Sequence, residues 1–513
     1  MCNYIGITIG PIFDTIMDAS SPAALWFASS LFSDMSRRVC VEIKNTFSDA
    51  EIYSPYFADD IKMDDGVGKF HDRIIFSTEQ YDRKKLQECI RKVKRETANC
   101  FPEALINADT KEFFEQYIQM PFVKLEEDEI EEKNSVLALS PYLDALELMR
   151  SFPADSSNNV IRKLFCGEET GGNVYIKQSP LFQGIEENSN QLKKDQNGLW
   201  TVEDIASDHG KIEEVLKRKD YYAVVQADGD NMGKFLAGLD HTAVTEFSKA
   251  CLDYDKKVCE KVGNFGGMTI YAGGDDLLFL APVVNRKGKN IFELCVKIGE
   301  LFREQLESVD VLKNNSNIPT VSFGIALQYK NFPLYEAFAR GRELLSLAKS
   351  TSQKDNMAIE LLKHSGKSMK VIVPNKEYPV LEEVLPFEKE DEKTVHSVIY
   401  TLQKFQKLIF VLDSKLREKK INEDLYESAF MNLFDHMEQA NLEKYLRKIC
   451  HIYLKYFAAG NTKICVPKEL EERLDKAVSG GKEERNQDVS LLKVYLQLLL
   501  IKKFFVERQG EEH

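Results

Sequence analysis

Residues 221–234 read YYAVVQADGDNMGK and residues 268–280 read MTIYAGGDDLLFL. The first is a near-continuous apolar run, Tyr221 to Ala227, that stops at Asp228-Gly229-Asp230 and passes into a helix-like segment. The second holds two apolar runs, Met268 to Ala272 and Leu277 to Leu280, around Gly273-Gly274-Asp275-Asp276. Apolar runs of this length, broken by Gly and Asp, predict strands whose tight turn pushes its side chains clear of the sheet. A strand at Thr320 to Leu327 and a helix at Leu334 to Ser350 complete an α+β unit, placed at residues 216–375.

Carboxylates on neighbouring strand tips suit nucleotide joining. That reaction needs in-line attack on an α-phosphorus and relief of charge on the leaving pyrophosphate, which two divalent ions about 4 Å apart provide. Mg2+ and Mn2+ are hard cations that take oxygen ligands. Asp228, Asp275 and Asp276 are therefore the expected catalytic carboxylates, and with the carbonyl of Gly229 they make up the expected metal set. Gly273 and Gly274 permit the turn and leave room for a base or ribose. Through Asp230, Asn231, Met232 and Gly233 the chain turns from strand to helix, so its backbone N–H groups are expected to cradle phosphates. A calcium EF-hand over Asp228 to Leu239 fails, because Met232 and Leu239 stand where an oxygen ligand and the bidentate Glu are required. An ordinary polar turn at 273–276 competes on conformational grounds; its pairing with the Asp228 strand speaks against that.

Outward from this unit, Tyr4 to Ile9 reads as a strand stopped by Gly10-Pro11, and Ile12 to Phe32 has helical spacing divided at Pro22. Val39 to Ile43 and Arg73 to Phe76 read as further strands, giving a first α+β unit at residues 1–100. Residues 101–215 read as a mostly helical adaptor, with an acidic, solvated run at Glu126 to Glu132, a polar break at Ser156 to Asn159, and loops at Gly167 to Gly172 and Gly184 to Gly198. Residues 376–513 read as helices at Thr394 to Leu412, Leu425 to Tyr456 and Val489 to Glu507, with a linker at Ser479 to Asn486: a bundle suited to docking.

Composition bounds the function. At 513 residues, 43% hydrophobic and 29% charged, the chain has material for several cores. A net charge of −14 argues against wrapping nucleic acid unaided, so any RNA is expected to arrive through partner subunits. Ten scattered cysteines without a CxxC pair fit a reducing cytoplasm. The apolar stretch Leu491 to Phe505 is short and carries Lys493, Lys502 and Lys503, so no membrane span is expected.

At three places the sequence resembles the large polymerase-cyclase subunit of type III CRISPR effector complexes, of the Cmr subtype. They are Ala227 to Lys234, Tyr271 to Leu278 with its GGDD, and Pro319 to Gly324. Arg342-Glu343-Leu344-Leu345, leading through Ala348-Lys349 to Lys354 and Asn356, is similar to the end of a nucleotide-cyclase domain; Thr8 to Ile12 and Leu25 to Ser30 are similar to the opening of the family's first palm. The resemblance covers roughly residues 4–360 and implies two ferredoxin-like, nucleotide-cyclase-like palm domains, with the helical insert and C-terminal helices beside them. It implies that each palm holds one ATP and that the first, without a carboxylate pair, is an acceptor pocket. By that likeness Lys349 contacts the triphosphate. The implied activity is synthesis of cyclic oligoadenylate from ATP when the complex pairs guide RNA with target RNA. Some relatives join AMP to S-adenosylmethionine instead, and the sequence does not choose between the two. A non-catalytic scaffold and a free-standing diguanylate cyclase are the rival readings.

His71-Asp72 matches the family's HD nuclease only by its letters; it falls inside the first palm, and no nuclease domain is expected. The middle region offers only Cys100 and Cys166 where relatives often carry four zinc-binding cysteines, so a structural zinc is not expected.

Overall fold

The computed structural model describes residues 2–58, 67–149, 159–166, 176, 178–181, 201–206, 220–313, 318–351, 354–385, 392–434, 440–458 and 491–506. The run YYAVVQADG forms strand β5, Tyr221–Gly229. Its side chains alternate between two cores: Tyr221, Ala223, Val225 and Ala227 face one, Tyr222 and Val224 the other. A strand buried on both faces has no polar alternation, which is why this run reads as continuously apolar.

Around it lies a six-stranded sheet of order β10-β9-β8-β5-β7-β6. Its other members are β6 (Met268–Gly273), β7 (Asp276–Pro282), β8 (Val321–Tyr329), β9 (Asn356–Leu362) and β10 (Ser368–Pro374). All neighbours are antiparallel except β8 and β9, which are parallel and joined by the helix Leu334–Lys349. On one face the helices His241–Phe265 and Ile291–Glu307 pack with the C-terminal helices. Phe504 of the last helix, Leu491–Val506, meets Tyr221 edge-on at 4.6 Å between ring centroids. No described helix is long and apolar enough to cross a membrane.

The other face shares its core with a four-stranded sheet of order β2-β3-β1-β4: β1 (Asn3–Thr8), β2 (Glu51–Ser54), β3 (Arg73–Thr78) and β4 (Phe122–Glu126). The 25-residue helix Pro22–Thr46 is buried along most of its length between the two sheets. Pro22 starts this helix after Ser21 caps it, so the division of the N-terminal helical run at Pro22 is as the sequence predicts.

Two expectations are corrected. Val39 to Ile43 is not a strand but the last part of the helix Pro22–Thr46; with three β-branched residues in five, it has no period of its own, and burial of the helix on several sides hides the 3.6-residue pattern. The first sheet also does not end near residue 100. Its fourth strand, β4, pairs with β1 from Asn3↔Glu126 to Ile7↔Phe122, and the helix Ser135–Leu148 packs on it, placing Leu139 and Leu143 in the core. Each C-terminal run divides further than expected, Thr394 to Leu412 into Glu392–Lys404 and Gln406–Arg417, and Leu425 to Tyr456 into Glu423–Met431 and Ala440–Tyr456. The loops at Gly167 to Gly172 and Gly184 to Gly198, the linker Ser479 to Asn486 and most of the break Ser156 to Asn159 lie outside the described residues.

Candidate active site

The β5–β7 ladder pairs Ala227 with Leu277, so the next positions out are Asp228 on one strand and Asp276 on the other. The two acidic tips therefore meet because of register. Gly229 brings them closer: a Cβ there would lie 2.7 Å from Asp275 Oδ2 and 2.8 Å from Met232 Sδ, so only a residue without a side chain lets the Asp275 carboxylate rest on this strand.

Across the sheet, the helix Leu334–Lys349 delivers Lys349 to the same point. Gly324 on β8 allows the close approach, since a Cβ there would run into the Gly341 carbonyl oxygen. Lys349 Nζ donates to the Gly229 carbonyl at 2.9 Å and forms an ion pair with Asp228.

The charges are strongly coupled. Burial first, and then the negative Asp228, push the Asp275 carboxyl up to about 6, against the opposing pull of Lys349. Asp276 keeps solvent contact along the cavity, yet loss of hydration among the surrounding protein, followed by repulsion from Asp275, Asp228 and Asp72, raises it well above the usual carboxylate range. Carboxylates held this close favour a cation between them.

The hairpin is held from behind. The amide of Gly274, at φ +79°, donates to Oδ2 of the buried Asp255 at 3.2 Å; Asp255 lies on the helix His241–Phe265. Tyr271 Oη donates to the Gly273 carbonyl at 3.4 Å, folding the ring over its own strand.

Asp275, Asp276, Gly273, Gly274 and Met232 line a cavity of about 440 Å³. Its opposite wall comes from the first sheet and its loops: Ser54, Tyr56, Lys69, His71, Asp72 and Arg73. Its two sides thus belong to the two sheets, and the volume is of the size that takes a small-molecule ligand.

Asp230 does not belong to this site. It is fully buried and accepts from Thr320 Oγ1 at 2.8 Å, from Ser322 Oγ at 2.9 Å and from the Asp355 amide at 2.9 Å. Its carboxylate is consumed tying β5 to the starts of β8 and β9, which corrects the expectation that it contacts a nucleotide. Asn231 takes the left-handed conformation, φ 59°, ahead of the five-residue helix Met232–Leu236. Its carbonyl accepts from the Lys234 and Phe235 amides, and of the N–H groups expected to cradle phosphate that of Asp230 already donates to the Thr320 carbonyl at 2.7 Å. Gly233 faces open space.

Among the described residues no three His, Cys, Asp or Glu side chains stand ready-made for a metal ion. The donor chemistry nonetheless fits one, because the Lys349 ammonium bridges the Asp228 carboxylate and the Gly229 carbonyl, two of the expected metal-facing oxygens. Lys69 and Asp255 carried no sequence signal of their own, and His71-Asp72 only the letters of a nuclease dipeptide; they line the cavity through the packing of distant segments.

This arrangement of sheet, hairpin and acidic tips is that of a palm-type, nucleotide-cyclase-like domain. Residues 221–358 match the family model of Cas10/Cmr2, second palm domain. Over 175 residues it is 31% identical to the CRISPR system Cmr subunit Cmr2 of Pyrococcus furiosus, a match that takes in 28% of this chain and 19% of that protein. Solved structures agree in fold. The type III-B Cmr-beta structure bound to cognate target RNA matches with a TM-score of 0.55 at 12% identity, over 99% of this chain and 83% of that one. A Csm1–Csm4 cassette in complex with cA4 matches with a TM-score of 0.52 at 14% identity, over 99% and 70%.

Proposed function

We propose that the chain is a metal-dependent nucleotidyltransferase that builds cyclic oligoadenylate from ATP, as the large subunit of a Cmr-type effector complex that responds to target RNA. The observation that carries this reading is the meeting of Asp228-Gly229 with Asp275 and Asp276, the latter two lining one side of a cavity whose other side is the first sheet. The cassette in complex with cA4 and the Cmr-beta structure with target RNA support the choice of product and of partner.

In this reading Asp228, Asp275, Asp276 and the Gly229 carbonyl would hold one or two Mg2+ or Mn2+ ions. When bound, such ions supply charge relief at the α-phosphorus and the leaving pyrophosphate. Lys349, which pairs with Asp228, would contact the triphosphate. Asp255 fixes the Gly274 turn, so that the paired carboxylates do not reorganise when the substrate binds. The first sheet's wall holds the acceptor, either a second nucleotide or S-adenosylmethionine.

Mass spectrometry of the full chain with its partner subunits, target RNA, Mn2+ and ATP, then with S-adenosylmethionine added, tests this reading. Oligoadenylate from ATP alone supports it; a product formed only with S-adenosylmethionine moves the acceptor assignment; no ATP-derived product under either condition defeats the enzymatic claim.

A further inference from the structure

We propose that Asp72, on the first sheet's side of the cavity, accepts a hydrogen bond from the attacking hydroxyl of the acceptor and so sets its line of approach to the metal-facing carboxylates. This rests on the function proposed above. It also gives a role to half of the His71-Asp72 dipeptide, which resembles a nuclease signature only by its letters.

The first support is placement. Asp72 lines the same cavity as Asp275 and Asp276 while belonging to the other sheet, immediately before β3. Its charge is near enough to raise both Asp276 and Tyr271.

The second is rigidity. The loop that carries Asp72 is bonded at almost every residue. The Gly68 carbonyl accepts from the Ala272 amide at 3.0 Å, joining the loop to the outer strand of the acidic hairpin itself. The Phe70 amide donates to Ser33 Oγ at 2.9 Å, and the His71 carbonyl accepts from Ser36 Oγ at 2.7 Å. His71 Nε2 lies 3.0 Å from Ser54 Oγ, and the Asp72 carbonyl accepts from the Ile9 amide at 3.0 Å. Asp72 thus stands at a fixed offset from Asp276, four positions beyond each end of the Gly68–Ala272 bond. Pre-set geometry of this kind is what orients a reacting group.

The third is chemistry. A carboxylate repels phosphate, so a nucleotide lying here must turn its hydrogen-bond donors toward Asp72, and the donors on a ribose are its hydroxyls. Arg73, the next residue along the wall, is held by Asp144 at 2.6 Å and Glu147 at 2.9 Å, so its charge does not neutralise Asp72 alone.

The test is steady-state turnover of ATP by the full chain carrying Asp72→Ala or Asp72→Asn, assembled with its partner subunits and target RNA, alongside Mn2+ binding and binding of a non-hydrolysable ATP analogue. Asn keeps an acceptor oxygen in the same place. The expected result is a fall in kcat of about a hundredfold for Asp72→Ala, the scale of a misplaced reacting group, and of no more than about tenfold for Asp72→Asn, with KM, Mn2+ binding and analogue binding unchanged. Turnover by Asp72→Ala near the wild-type rate overturns the inference, as does equal damage in the two variants. Loss of Mn2+ binding overturns it in favour of a metal-ligand role. Absence of turnover in the wild-type chain would instead overturn the proposed function.

Discussion

Lys349 places its ammonium 2.9 Å from the carbonyl oxygen of Gly229, on the strand end that also carries Asp228. An internal cation thus sits on two of the oxygens assigned to a divalent ion. Removing it has opposite effects on the two ligands. For Lys349→Met, isothermal titration is expected to give tighter Mn2+ binding in the absence of nucleotide, because no ammonium has to be displaced, while KM for ATP rises by about tenfold, the value of one charge-assisted hydrogen bond. Weaker Mn2+ binding in the variant would contradict this account of Lys349.

The Gly229 strand end should tolerate no added atom. Gly229→Ala puts a methyl against Asp275 and Met232, so turnover is expected to fall by about a hundredfold, on the scale of an ångström's misplacement near reacting groups. Gly233→Ala adds its methyl to open space and is expected to leave turnover and Tm close to wild type. Equal effects of the two changes in the same assay would remove the close-approach argument.

Asp230 should behave as a fastener. Asp230→Ala leaves the Thr320 and Ser322 hydroxyls and the Asp355 amide without their shared acceptor, at a cost of about 3 kcal/mol for a buried charged network. A Tm several degrees lower, with KM for ATP unchanged in the folded fraction, is the expected outcome; a normal Tm with a raised KM would return Asp230 to the nucleotide site.

The pH response follows from the raised Asp275 carboxyl, held at about 6. A carboxyl whose pKa is higher in the fold than in the unfolded chain stabilises the fold fully only below its ordinary range, near 3.8, and that contribution is lost as pH rises through about 6. In metal-free protein Asp275→Asn is therefore expected to raise Tm at pH 8 and to have little effect near pH 4. Divalent ions compete with the same proton, so Mn2+ binding is expected to weaken as pH falls below about 6. Denaturation scans with and without chelator, at both pH values, check the two together.

Much of this was legible in the sequence because the acidic tips are local features. A strand, a Gly-Asp break and a second strand announce themselves within a few residues, and register then forces Asp228 and Asp276 together. Asp230 was misread for the same reason: strand alternation would set it on the same side as Asp228, but the strand ends at Gly229 and the chain, turning through the left-handed Asn231, carries the Asp230 carboxylate inward to Thr320 and Ser322. β4 and the cavity wall at Lys69, His71 and Asp72 were out of reach, since they depend on pairing and packing across distant segments. Val39 to Ile43 shows the converse limit: a helix buried on several sides loses the polar stripe by which helices are recognised.

The account stands on the shared grip of Asp228, Asp275 and Asp276 on divalent cations, and electron paramagnetic resonance of Mn2+ with a non-hydrolysable ATP analogue reads that grip without turnover. The account predicts one or two tightly bound Mn2+ ions per chain in the wild type and none when Asp275 and Asp276 are both changed to Ala in a chain that still folds. Undiminished Mn2+ binding in that variant would contradict it.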